Sequence, residues 1–123
     1  MLRIVEVHRS PDTQNEYIVL QNHGALKIGL KGHMITNEDA ICAGSHDNTF
    51  AFSDEVQIPA SCYVLLITGR GTNGWHRDPD SKPVYCVFLN RHESIWTKEQ
   101  GPIHLLSLVH TSLPRSEGLL VSR

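Results

Sequence analysis

The chain reads as an all-β protein, a sandwich of about eight or nine short, mostly antiparallel strands. Three observations carry that reading. Apolar residues alternate with polar ones at period two in several short segments, each bounded by Gly, Pro, Asn or Asp. No stretch of helical length holds a 3.6-residue apolar period free of Gly or Pro. The longest apolar run, Tyr63-Val64-Leu65-Leu66-Ile67, has strand length and lies between Pro59 and Gly69.

The elements follow in order. Leu2 to His8 is a first strand, and Arg9 to Asn15 a polar connector with Pro11-Asp12 turn chemistry. Glu16 to Asn22 is a second strand, rich in β-branched and aromatic residues. Its Glu16, Ile18, Leu20 and Asn22 share one face, and Tyr17, Val19 and Gln21 the other. His23-Gly24 turns the chain, and Leu26, Ile28 and Leu30 alternate with polar or small residues in a third strand. Gly32 suits a positive φ or a close backbone approach.

His33 to Thr36 is a short strand, and residues 37–48 are rich in turn formers. Thr49 to Phe52 resumes strand character, with Phe50 and Phe52 on one face as core candidates. Val56 to Ala60 reads as an edge or strand end, because Pro59 cannot donate to a ladder. Cys62 to Thr68 is expected to be a strand covered on both faces. Gly69 to Pro83 is expected to be a long polar connector, within which Asp78-Pro79-Asp80-Ser81 is a turn. Val84 to Leu89 and Ile103 to His110 complete the strands, while Ser94 to Thr97 reads as short strand or turn. The expected organisation is one domain over residues 1–112 and a C-terminal tail over 113–123.

At this point the residues point to a family. The series Glu16-Tyr17-Ile18-Val19-Leu20-Gln21-Asn22, Leu30-Lys31-Gly32, Phe50-Ala51-Phe52, Ile58-Pro59-Ala60 and Tyr63-Val64-Leu65-Leu66 resembles the lamin tail domain. The resemblance spans roughly residues 2 to 110. It implies an immunoglobulin-like β-sandwich of the bacterial or archaeal stand-alone kind, without shared catalytic residues. It therefore implies a non-catalytic interaction or scaffolding module. The chain departs from the family pattern at His33, where a Trp often follows L-x-G, and at Ser61, where a Gly usually follows Pro-Ala.

Bulk properties narrow the classes further. The net charge of -2 is no electrostatic footprint for nucleic acid or an anionic membrane. No signal-peptide pattern opens the chain, and no apolar run is long enough to span a bilayer, so a cytoplasmic protein is expected. In that compartment Cys42, Cys62 and Cys86 are expected as free thiols.

Residue type and spacing decide among several chemical constellations. Cys62 or Cys86 with His33, His76 or His104 would be the pair for a small Cys/His hydrolase, but both thiols lie in apolar strand runs. The eight His are dispersed and show no metal-ligand spacing, so no metal or other cofactor is expected. Glu38, Asp39 and Asp47 in one loop, and Asp78 and Asp80 in another, supply too few convergent oxygens for calcium. The glycines of Gly69-Arg70-Gly71-Thr72-Asn73-Gly74 could form an anion nest, which leaves a polyanion-binding accessory domain as a further alternative. The leading expectation is a protein-binding surface in this connector, formed by Arg70, Trp75, His76 and Arg77, residue types that dominate binding hot spots. Sandwich edges also leave room for a homodimer.

Overall fold

The computed structural model describes residues 1–38, 49–96 and 102–107. Ten strands fill these residues: β1 (Leu2–His8), β2 (Tyr17–Asn22), β3 (Ile28–Gly29), β4 (His33–Asn37) and β5 (Thr49–Ala51), then β6 (Gln57–Ile58), β7 (Tyr63–Ile67), β8 (Gly74–Arg77), β9 (Pro83–Phe88) and β10 (Ile103–Ser107). They form an all-β sandwich. A five-stranded sheet runs β1-β2-β7-β9-β8, and it faces a three-stranded sheet β10-β4-β5 and a short β3-β6 ribbon. Among the described pairings all are antiparallel except β7 with β9.

The alternation read from β2 is the one observed: Ile18, Leu20 and Asn22 point inward, while Tyr17, Val19 and Gln21 point outward. The core joins Leu2, Ile18, Leu20, Val64, Leu66 and Val87 of the large sheet to Leu30, Ile35, Phe52, Ile58 and Trp96 of the opposite layer. Phe50 and Phe52 meet edge to face at 5.1 Å, as shared-face aromatics should. Gly32 takes φ 99°, the backbone state that only glycine adopts without strain. A register shift between Ile4 and Glu6 makes Val5 a bulge on the edge strand β1.

Two polar residues fix the ends of β2. At its start Glu16 is 1% exposed. Its Oε1 accepts hydrogen bonds from the Thr68 hydroxyl at 2.6 Å and the Ile95 amide at 3.0 Å, and its Oε2 from the Trp96 amide at 3.2 Å. The carboxylate thus draws the Ser94–Trp96 segment, which is not a strand, into the core. At the other end the Asn22 amide donates to the carbonyls of Leu26 and Ile58, and its Oδ1 accepts from the Gly24 amide and the Met1 nitrogen. Both residues satisfy backbone groups that would otherwise be buried without partners.

Two expectations are corrected. Gly69 to Pro83 is not a structureless connector, because residues 74–77 form β8 and pair with β9. A tight turn closes that hairpin: Asp78 Oδ1 accepts from the amides of Asp80 and Lys82, and Ser81 adopts φ 63°. The run from Cys62 to Thr68 is not covered on both faces either. In β7, Val64 and Leu66 are buried, while Tyr63, Leu65 and Ile67 remain half-buried on the outer face. Strand pairing aligns these outward residues into rows. Tyr17, Ile67 and Phe88 form one, and Val19, Leu65 and Cys86 the next. Gln21, Tyr63 and Val84 form the third. The proposed tail, residues 113–123, lies outside the described residues.

Candidate functional site

The hairpin β8–β9 is where the candidate binding residues fall. Strand β8 is the outer strand of its sheet, so one side of its backbone has no ladder partner among the described strands. Trp75 and Arg77 lie on the same face of β8, two residues apart, and His76 lies on the other. Trp75 stands 44% exposed. Its ring meets Tyr85 edge-on, 5.2 Å between centroids and 72° between planes, a favourable quadrupole geometry.

Tyr85 is itself held in place. Its hydroxyl donates to Asp54 Oδ2 at 2.5 Å, and the Asn73 amide donates to the same carboxylate at 3.1 Å. Asn73 Oδ1 in turn accepts from the Phe88 amide at 2.8 Å, which closes the chain of bonds back onto β9. Burial, and then the hydrogen bond to the Asp54 carboxylate, push the Tyr85 hydroxyl up to about 12. The phenol therefore stays a donor through the neutral range, and Trp75 rests on a fixed platform instead of a free rotamer.

Arg77 is partly committed to its own hairpin, since its guanidinium donates to the Ser81 carbonyl at 2.7 Å. Arg70 sits apart from this pair, in the loop before β8. Its backbone amide and carbonyl both bond the Gln14 side chain, next to the 3-10 turn Thr13–Asn15. The structure therefore joins Trp75 with Arg77, turns His76 to the outer face and leaves Arg70 near the opposite end of the strand.

The Cys/His candidates are dispersed. Cys86 is on the outer face of β9, 7% exposed, and burial pushes its thiol up, the reverse of an activated nucleophile. His33 bonds the Leu30 carbonyl through Nδ1 and lines a groove of about 410 Å³ with Met1, Leu2, Ile28, Leu105 and Ser107. His104 pairs with Glu38 at 2.7 Å on the opposite sheet. Among the described residues no three His, Cys, Asp or Glu side chains converge as a metal site. Asp78 spends its carboxylate on turn amides. Cys42, His46, Asp39 and Asp47 lie outside the described residues.

Sequence reading missed Asp54, whose role depends on Asn73 and Tyr85, 19 and 31 residues away. It also missed that β8 is a strand, although Trp75 directly after Asn73-Gly74 and the turn at Asp78 were its signals. Compared with known proteins, the chain matches no family model and no curated sequence. Among the described residues no helix is long and apolar enough to cross a membrane.

Proposed function

We propose that this protein is a non-catalytic protein-interaction module of the lamin tail type, and that it engages its partner at the β8 edge of the large sheet. One observation carries the reading: an exposed tryptophan stands on an unpaired edge strand and is propped by Tyr85, Asp54 and Asn73. A rigid aromatic anchor loses little side-chain entropy on binding, which is why such residues dominate interface energetics. The outer side of β8 has no ladder partner among the described strands, so its amides and carbonyls suit an added strand.

The lamin tail assignment draws support from the motif positions. Glu16 and Asn22 close the two ends of β2, and Gly32 supplies a positive φ, so each has a structural task that a less demanding residue would not meet. A partner captured with the wild-type chain and then purified should bind Trp75→Ala at least tenfold more weakly, by calorimetry, with the melting temperature unchanged. An affinity unaltered in both Trp75→Ala and Arg77→Ala, with the fold intact, would remove the β8 edge from consideration.

A further inference from the structure

A second surface, separate from the β8 edge, lies on the outer face of the large sheet. A sheet with one solvated face ordinarily alternates apolar-in with polar-out. Here β2, β7 and β9 break that rule side by side. Of the nine outward positions in their three rows, six are Val, Leu, Ile, Phe or Cys, two are Tyr, and only Gln21 carries an amide. The Arg, Glu and His side chains of this face, Arg3, Glu6, His8 and His76, all sit on the outer strands β1 and β8. The result is an apolar centre with a polar rim, the anatomy of a protein interface. At Gly74 a Cβ would meet no atom within 4 Å, whereas at the end of β9 the Gly71 backbone lies against the Phe88 ring and so bounds the face there.

We propose that this face is the contact between two copies of the chain. A twofold axis along β7 lays each apolar row on the same row of the partner. Leu65 then meets Leu65 of the second copy, and Val19 meets Cys86. The outer strands exchange places as well, so β1 opposes β8. Glu6 and Gly74 share the middle row, and the glycine leaves room for the longer side chain; Arg3 comes opposite His76 at the wet rim. The pairing is sheet on sheet, the arrangement that buries two apolar faces about 10 Å apart in sandwiches generally.

Size sets the strength. Five strands about 4.8 Å apart and five residues of about 3.3 Å give a face of roughly 400 Å² in projection. Two copies cover about 800 Å² before side-chain relief is added, which places the contact at the weak end of specific interfaces. The association is therefore reversible and dependent on concentration.

Sedimentation of the full chain from about 5 to about 500 µM tests this, a range chosen for weak interfaces. The average mass should climb from that of a monomer toward twice that value. Leu65→Lys places a charge on the axis, and Gly74→Arg fills open space at the rim. Each should weaken self-association at least tenfold with the melting temperature unchanged, whereas Trp75→Ala should leave it as in the wild type. A wild-type chain that stays monomeric throughout overturns the proposal. A dimer indifferent to both Leu65→Lys and Gly74→Arg overturns it too, in favour of edge-strand pairing. A monomeric result leaves the β8 edge untouched, whose test is the Trp75 variant against the captured partner.

Discussion

Replacing Glu16 by Gln is the sharpest test of how this sandwich is held. The two side chains have nearly the same shape, so packing is conserved and hydrogen bonding is isolated. In the wild type three donors converge on the carboxylate, the Thr68 hydroxyl and the amides of Ile95 and Trp96. Oε1 takes two of them, so the Gln oxygen must occupy that place and its NH2 must face the Trp96 amide. One buried donor then meets another, at about 1–3 kcal/mol, and the surviving bonds lose roughly 1 kcal/mol each of charge assistance. Neutralising a buried charge returns part of that, which leaves a net loss of about 2–3 kcal/mol. A domain of this size has a total stability of roughly 6–18 kcal/mol, so the variant still folds. Glu16→Ala would strand all three donors at about 1–3 kcal/mol each and is less informative, because it approaches that total. Urea unfolding followed by tryptophan fluorescence measures the difference at constant m-value. Thr68→Val in the same background completes a double-mutant cycle with an expected coupling of about 1 kcal/mol. A loss below about 0.5 kcal/mol for Glu16→Gln, or strict additivity with Thr68→Val, would refute the reasoning, since exposed polar contacts give values that small.

Two further outcomes follow from backbone and titration. Ser61 holds φ 68°, a state that disfavours any side chain with a Cβ by about 1–2 kcal/mol, so Ser61→Gly should gain on the order of 1 kcal/mol after glycine's greater unfolded entropy is counted. Thermal unfolding should shift upward by a few degrees, and an unchanged or lowered midpoint would contradict it. The Tyr85 hydroxyl, raised to about 12 from 10.0, holds its proton in the folded chain at pH values where the unfolded chain has lost it. Between those values the native state binds more protons, so its contribution is complete below pH 10 and is lost as pH rises toward 12. Wild-type stability should therefore fall more steeply than that of Tyr85→Phe across this alkaline window; parallel curves would mean that neither the burial of the phenol nor its bond to Asp54 holds in solution.

How much was legible in the chain depended on the range of the forces involved. Strand β2 announced itself because alternation is local, and every inward residue it named is buried. Gly32 was readable for the same reason, since a positive φ is a property of one residue. Strand β8 was not, because Gly74, His76 and Arg77 have little strand preference; pairing with β9 and the Trp75–Tyr85 contact make it a strand. Glu16 could be placed on the inward face, but its task could not, because its partners lie 52, 79 and 80 residues further on. Of the binding residues named from the sequence, Trp75 and Arg77 share a face, while His76 follows the strand's alternation to the other side. Arg70 is held near the 3-10 turn by Gln14.

The misreading of β7 is the most instructive, because its premise was sound. A strand apolar on both parities asks for cover on both faces. The sandwich covers Val64 and Leu66, and Glu16 and Asn22 lock that side by bonding the loops at either end of β2. Those clamps act on the inner face, while the outward rows make their own, lighter contacts: Tyr17 stacks on His8 and donates to Glu6, Gln21 donates to the Ser61 carbonyl, and the Gly71 backbone lies against the Phe88 ring. Polar residues on those rows would leave the inner core unaltered, as Gln21 at the end of one row shows. Val19, Leu65, Ile67, Val84 and Phe88 are apolar there and half-buried, although strand alternation alone would admit polar residues at these positions. The contact proposed between two copies would use these rows, with their centre free of Asp, Glu, Lys and Arg and their rim on β1 and β8.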